Sequence, residues 1–160
     1  MNIKAKKLCI SGISIAVYIV VLYFTQPVSF GQYQIRVATS IYSLVYVFDF
    51  LCIPLALANL LSNLLFGSLG ILDVIGGFIV GVVTTRLICL LKKIKGSPMF
   101  CCLPIAVAPT IIVPLWLHYI LKIQYIVLLF SMLPGQIISS LIGAIIIIPI
   151  AKFVRQTDSA

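Results

Sequence analysis

Residues 38–66 read ATSIYSLVYVFDFLCIPLALANLLSNLLF. The fold turns on whether this stretch crosses a membrane once or twice. A spanning α-helix needs about 20 apolar residues, with a range of about 17 to 25. The stretch is long for one crossing and short for two. Two local features favour a break in its middle: Asp49 interrupts the apolar run, and Pro54 disfavours helix at Ile53 just before it. We therefore expect one short helix near Thr39–Phe48 and a second near Cys52–Phe66.

Charge parity gives the same answer. Lys4, Lys6 and Lys7 open the chain, Lys92, Lys93 and Lys95 form a second cluster, and Lys152 and Arg155 a third. Each cluster flanks an apolar run, as cytoplasmic anchors do under the positive-inside rule. An even number of crossings must then separate consecutive clusters. Two helices between Ala38 and Phe66 give that parity and one does not. Four other blocks are long enough to cross without argument: Leu8–Phe24, Leu72–Leu91, Met99–Leu121 and Ile123–Ala151. The last could tilt or kink at Pro134-Gly135. The expected fold is an all-α integral membrane bundle of six transmembrane helices, with both termini cytoplasmic and a pocket open to the outside. Residues 1–160 form a single membrane domain on this reading.

Composition agrees. Hydrophobic residues make up 62% of the chain, more than a soluble domain of this size can bury. The basic start followed by Leu8–Phe24 resembles a signal peptide, but only Thr25-Gln26-Pro27 follows where a small-residue cleavage site would stand. We read an uncleaved first helix. Net charge is +8, yet the lysines flank apolar runs instead of lining a soluble face, which argues against nucleic acid as a partner.

The chain contains no glutamate, and its only carboxylates are Asp49, Asp73 and Asp158. General acid–base catalysis and metal binding lack their usual groups, so we expect no catalytic residues, no metal site and no cofactor. Cys9, Cys52, Cys89, Cys101 and Cys102 lack metal-ligand spacing and read as free, buried thiols. There is no G-x-x-x-x-G-K-[ST] loop, so the energy for any active transport must come from other subunits or a gradient.

With this topology the polar side chains sort to one side. Gln34, Arg36, Asn59, Asn63, Asp73 and Gln136 can approach a single outward-facing cavity, while the inner half is nearly devoid of polar groups apart from a snorkelling Arg86. Polar groups at membrane depth are costly and usually face a cavity or the bundle interior. Arg36 and Asp73 are the two charges expected to meet there. Phe30, Tyr33, Trp116, Tyr119 and Tyr125 crowd the same level, and Tyr33, between Gln32 and Gln34, is the stacking candidate. Small residues four apart, Gly12 with Ala16 and Gly77 with Gly81, permit close helix approach.

These segments bear a resemblance. Phe30-Gly31-Gln32-Tyr33-Gln34-Ile35-Arg36 is similar to the Phe-Gly-x-x-Gln-Phe-Arg loop of the QueT family, substrate-binding S components of energy-coupling factor (ECF) transporters. The likeness continues through Pro54, Leu57-Ala58-Asn59-Leu60-Leu61 and Gly70-Ile71-Leu72-Asp73-Val74-Ile75-Gly76-Gly77. The resemblance implies a six-helix bundle in the bacterial cytoplasmic membrane, with an outer pocket partly lidded by the first loop. It implies uptake of queuosine precursors, which are 7-deazaguanine bases, or of a related vitamin-like compound. It also implies a transmembrane coupling subunit and two cytoplasmic ATPases as partners, with Gly12 and Ala16 at the coupling-subunit contact.

Two positions depart from the family pattern. Its loop usually continues Arg-x-Ser-Glu, whereas this chain has Arg36-Val37-Ala38-Thr39. A Gly-Glu pair is expected near the last helix, and Gly135-Gln136 stands there. A carboxylate is the natural acceptor for a guanine-type N1–H and amine, and would pair an aminomethyl cation. With Thr39 and Gln136 the pocket is expected to prefer a neutral ligand, or to rely on Asp73 as its anion. The expected substrate-binding set is Tyr33, Gln34, Arg36, Thr39, Asn59, Asn63, Asp73 and Gln136. The competing reading is a non-transport membrane accessory or assembly subunit whose polar cluster is purely structural.

Overall fold

The computed structural model describes residues 2–31, 33–67 and 69–157. Gln32, Asp158 and the side chain of Arg155 lie outside the described residues. The elements are helical: α1 (Ile3–Phe24), the short α2 (Gln26–Ser29), α3 (Cys52–Phe66), α4 (Ile71–Lys93), α5 (Cys102–Ile112), α6 (Pro114–Leu121) and α7 (Tyr125–Thr157). Five segments are long and apolar enough to cross a membrane: Ile3–Phe24, Asp49–Phe66, Ile71–Lys93, Pro98–Leu121 and Tyr125–Val154.

The expected α-helix near Thr39–Phe48 is instead a 3-10 helix over Val37–Tyr46. It is buried on most sides, at Ala38, Thr39, Ser40, Ile41, Tyr42, Ser43 and Val45. A 3-10 helix is narrower than an α-helix and rises about 2.0 Å per residue, so ten residues reach about 20 Å instead of about 15 Å. Small residues let its neighbours close around it. A methyl group on Gly143 of α7 would stand 3.0 Å from the Ser40 carbonyl oxygen. Arg36, which precedes it, and Tyr46, which ends it, belong to opposite ends of the bundle. Tyr46 Oη donates to Gly96 O at 2.7 Å, beside the lysines of the turn after α4.

The break at Asp49 also stands at the lysine end. Lys92 Nζ lies 2.6 Å from Asp49 Oδ1, and Lys7 Nζ lies 5.6 Å from the Phe50 ring centroid. Lys152 shares a groove with Lys92 and Lys95. The three basic clusters are thus gathered at one end. Asp73 opens α4 and Lys92 closes it. Eighteen residues lie between them, and the nineteen rises span about 28 Å along the helix, close to the thickness of a bilayer core.

Several expectations need correction. The span through Met99–Leu121 begins with a 3-10 turn, Pro98–Cys101. It divides into α5 and α6 at Val113, because Pro114 has no N–H to donate back. Helix α7 is assigned as continuous through Pro134 and Pro149. The inner half is less apolar than expected, since Ser43, Thr84 and Thr85 are fully buried. Of these, Thr85 escapes most of the penalty by bonding its own helix, Oγ1 donating to Gly81 O at 2.8 Å, whereas Ser43 Oγ and Thr84 Oγ1 are buried without a partner among the described residues. The five cysteines are free, but only Cys52 and Cys101 are buried, and Cys9 lies on the exposed face of α1.

Candidate functional site

At the end opposite the lysines, seven of the eight expected binding residues line one cavity: Gln34, Arg36, Thr39, Asn59, Asn63, Asp73 and Gln136. They come from the loop after α2, the 3-10 helix, α3, α4 and α7. The cavity measures about 20 Å³, room for about one water molecule. The expected open pocket is therefore closed in this conformation.

Glycines make this convergence possible. Gly77 of α4 faces Asn63 and Asn59, and a methyl group there would collide with the Asn63 amide nitrogen. Gly76, beside it, takes the Trp116 ring, which a methyl group would meet at 2.6 Å. On α7, Gly135 lies against the backbone of Tyr33 and Gln34, so that any side chain would strike the Tyr33 carbonyl oxygen. This contact seats the loop on the last helix. Gln34 itself is left-handed, with φ of 42°, a conformation uncommon for a residue with a Cβ.

Arg36 and Asp73 both line the cavity, as expected, but they do not pair directly. Asn63 stands between them: Arg36 Nη2 donates to Asn63 Oδ1, and Asn63 Nδ2 donates to the Asp73 backbone oxygen at 2.9 Å. The Asp73 carboxylate accepts from Trp116 Nε1 at 3.1 Å. It also sits in the first turn of α4, where the helix dipole favours negative charge. The Arg36 guanidinium carbon lies 5.3 Å from the Phe30 ring centroid, a cation–π distance. The amide i, i+4 pair on α3 is thus shared between two tasks, because Asn59 Nδ2 donates to Gly77 O at 2.8 Å and ties α3 to α4.

Three buried polar atoms around the cavity have no hydrogen-bond partner among the described residues: Arg36 Nε, Asn59 Oδ1 and Gln136 Oε1. Gln136 Nε2 is used, donating to Gln34 O at 3.3 Å. Thr39 Oγ1 donates to Arg36 O at 2.7 Å, which leaves the hydroxyl only acceptor capacity. Buried unpaired polar groups are costly and rare. At the cavity itself they are one donor and two acceptors around a space one water wide, and behind them the Tyr18 and Tyr42 hydroxyls, also without a hydrogen-bond partner among the described residues, stand near Arg36 and Asn59.

Tyr33 stands apart. It is 54% exposed, and the rings that line the cavity are Phe30 and Trp116. The sequence singled out Tyr33, and not Trp116, for stacking. The signal that could have separated the two is the Gly76-Gly77 pair, which leaves a ring-sized slot beside Asp73. Tyr119 is exposed, and Tyr125 Oη donates to Ile111 O at 3.0 Å, away from the cavity. Gly12 and Ala16 lie on the exposed face of α1, with nothing within 4 Å of a methyl group built on Gly12. Among the described residues no group of three His, Cys, Asp or Glu side chains could hold a metal ion.

No curated protein and no solved structure matches the chain. The sequence model of the QueT transporter family matches residues 8–152, which includes every cavity-lining residue named above. The chain, a multi-pass helical membrane protein, belongs to the QueT transporter family, which points to a role in membrane transport.

Proposed function

We propose that the protein is the substrate-binding S component of an ECF-type importer in the bacterial cytoplasmic membrane, and that it captures a neutral 7-deazaguanine queuosine precursor. The 3-10 helix Val37–Tyr46 serves as the second of six crossings. Both termini then face the cytoplasm with the lysines, and the cavity faces outside. A transmembrane coupling subunit and two ATPases supply the energy, and the chain itself carries no cofactor.

One observation carries this reading. Side chains from five separate segments meet at one end of the bundle and leave a buried donor and two buried acceptors unused. A guanine-type edge offers the complement, with N–H and NH₂ donors beside a carbonyl acceptor. Arg36 and Asp73 are the charged groups of the cavity lining, and their charges cancel. That balance favours a neutral base over its aminomethyl cation. Phe30 and Trp116 take the stacking role that the sequence had offered to Tyr33. Since the cavity holds about one water, the base enters when the loop 26–36 lifts from Gly135 and Gln136.

Calorimetry on the purified protein in detergent tests this. A neutral 7-deazaguanine should bind, and its aminomethyl derivative more weakly. Arg36→Ala and Asp73→Ala should each weaken binding by about tenfold or more, the cost of a lost charge-assisted contact. Unchanged affinity in both variants would remove this pocket. A structural role in a non-transport accessory subunit draws support from the mutual bonding of Arg36, Asn63 and Asp73. It predicts that neither base binds.

A further inference from the structure

At the lysine end, a groove of about 800 Å³ opens between the turn after α4 and the end of α7. Lys92, Lys95 and Lys152 line it, with Val47, Met99 and Ile148 among its apolar walls and, among the described residues, no carboxylate. Lys92 is engaged by Asp49 Oδ1 at 2.6 Å and Val47 O at 3.4 Å. Among the described residues, Lys95 and Lys152 have no carboxylate partner.

The lip of the groove is held in shape. Lys95 is left-handed, with φ of 57°. The Gly96 N–H donates to Leu91 O at 3.0 Å, and Gly96 O accepts from Tyr46. Two ammonium groups from different segments are therefore presented over an apolar floor. Met99 and Phe100, 58% and 51% exposed, continue that floor onto the flank of the bundle.

We infer that this groove binds an anionic phospholipid, with the phosphate between Lys95 and Lys152 and an acyl chain along Met99 and Ile148. The charge of the whole chain points the same way. With +8 net and three carboxylates, the chain has far fewer anions than cations, and the leaflet beside these lysines carries anionic headgroups. A soluble acidic partner would not need the apolar floor. The site lies about one bilayer core away from the cavity and does not depend on the transport reading.

Native mass spectrometry in mild detergent tests it, with titrated dioleoyl-phosphatidylglycerol and dioleoyl-phosphatidylcholine as probes. The protein should retain phosphatidylglycerol in preference. A lysine near an anionic headgroup is worth about fivefold, so Lys95→Gln with Lys152→Gln should lower that affinity about 25-fold. Lys95→Arg with Lys152→Arg should preserve it. The Gln variant should unfold at the same temperature as the parent in lipid-free detergent, since both side chains are exposed. Equal retention of the two lipids, or full phosphatidylglycerol affinity in the Gln variant, would overturn the proposal. So would displacement of the lipid by an equal concentration of glycerol phosphate, which would make the site one for a free anion.

Discussion

Helices α1 and α4 both carry small residues one turn apart, and the bundle uses them in opposite ways. On α4, Gly77 and Gly81 are buried against α3, and a methyl group on Gly81 would stand 2.9 Å from the Ala56 Cα. On α1, Gly12 faces open space, and only Ser14, Tyr18 and Leu22 are buried. The difference lies in the neighbours each pair meets. The α4 glycines let Asn59 and Asn63 reach across to backbone carbonyls, so the close approach is reinforced by hydrogen bonds. Among the described residues the α1 pair has no such partner. Small-residue spacing states that a helix can be approached closely, but not by what.

Substitution can break this contrast or sharpen it. The largest effect is expected at a third tight contact, Gly135, where Ala would collide with the Tyr33 carbonyl. Overpacking against backbone costs about 3 kcal/mol, so Gly135→Ala should lower the thermal midpoint by several degrees and weaken ligand capture. Asn63→Ala comes next. It removes the acceptor for the Arg36 guanidinium and the donor to Asp73 O. A loss of about 2 kcal/mol is expected from the unpaired groups, read as a lower denaturation midpoint. Gly81→Ala should destabilise by about 1–2 kcal/mol, although Ala is the better helix former by about 1 kcal/mol. Gly12→Ala should show the opposite sign, leaving the midpoint unchanged or raising it by up to about 1 kcal/mol. If the two glycines responded alike, the assignment of one to an internal seam and the other to an open face would be wrong.

Much of this was legible in the sequence, for identifiable reasons. Asp49 and Pro54 placed the break within residues 38–66, and the structure also divides that stretch there, into the 3-10 helix Val37–Tyr46 and α3. Polar residues inside apolar runs have few places to go, so Gln34, Arg36, Asn59, Asn63, Asp73 and Gln136 were found together, and the family resemblance added Thr39. Details decided by packing were hidden. Nothing local in residues 37–46 distinguishes a 3-10 helix from a short α-helix, because the choice depends on neighbours such as Gly143 that close around it. The Arg36–Asp73 attraction was expected on charge alone. The asparagine between them prevails because its amide has both a donor and an acceptor and fits a space kept clear by Gly77. Tyr33 was chosen for its place in the loop, but the loop turns at Gln34 and leaves that ring outside the cavity lining.

The central claim is that the polar cavity and the lysines stand at opposite faces of the membrane. Single cysteines at positions 33 and 93, both exposed, can be introduced into a background with the native cysteines replaced and probed with an impermeant maleimide in intact cells. Tyr33→Cys should be labelled from outside, and Lys93→Cys only after the membrane is opened. Labelling of both positions from the same side would contradict the account.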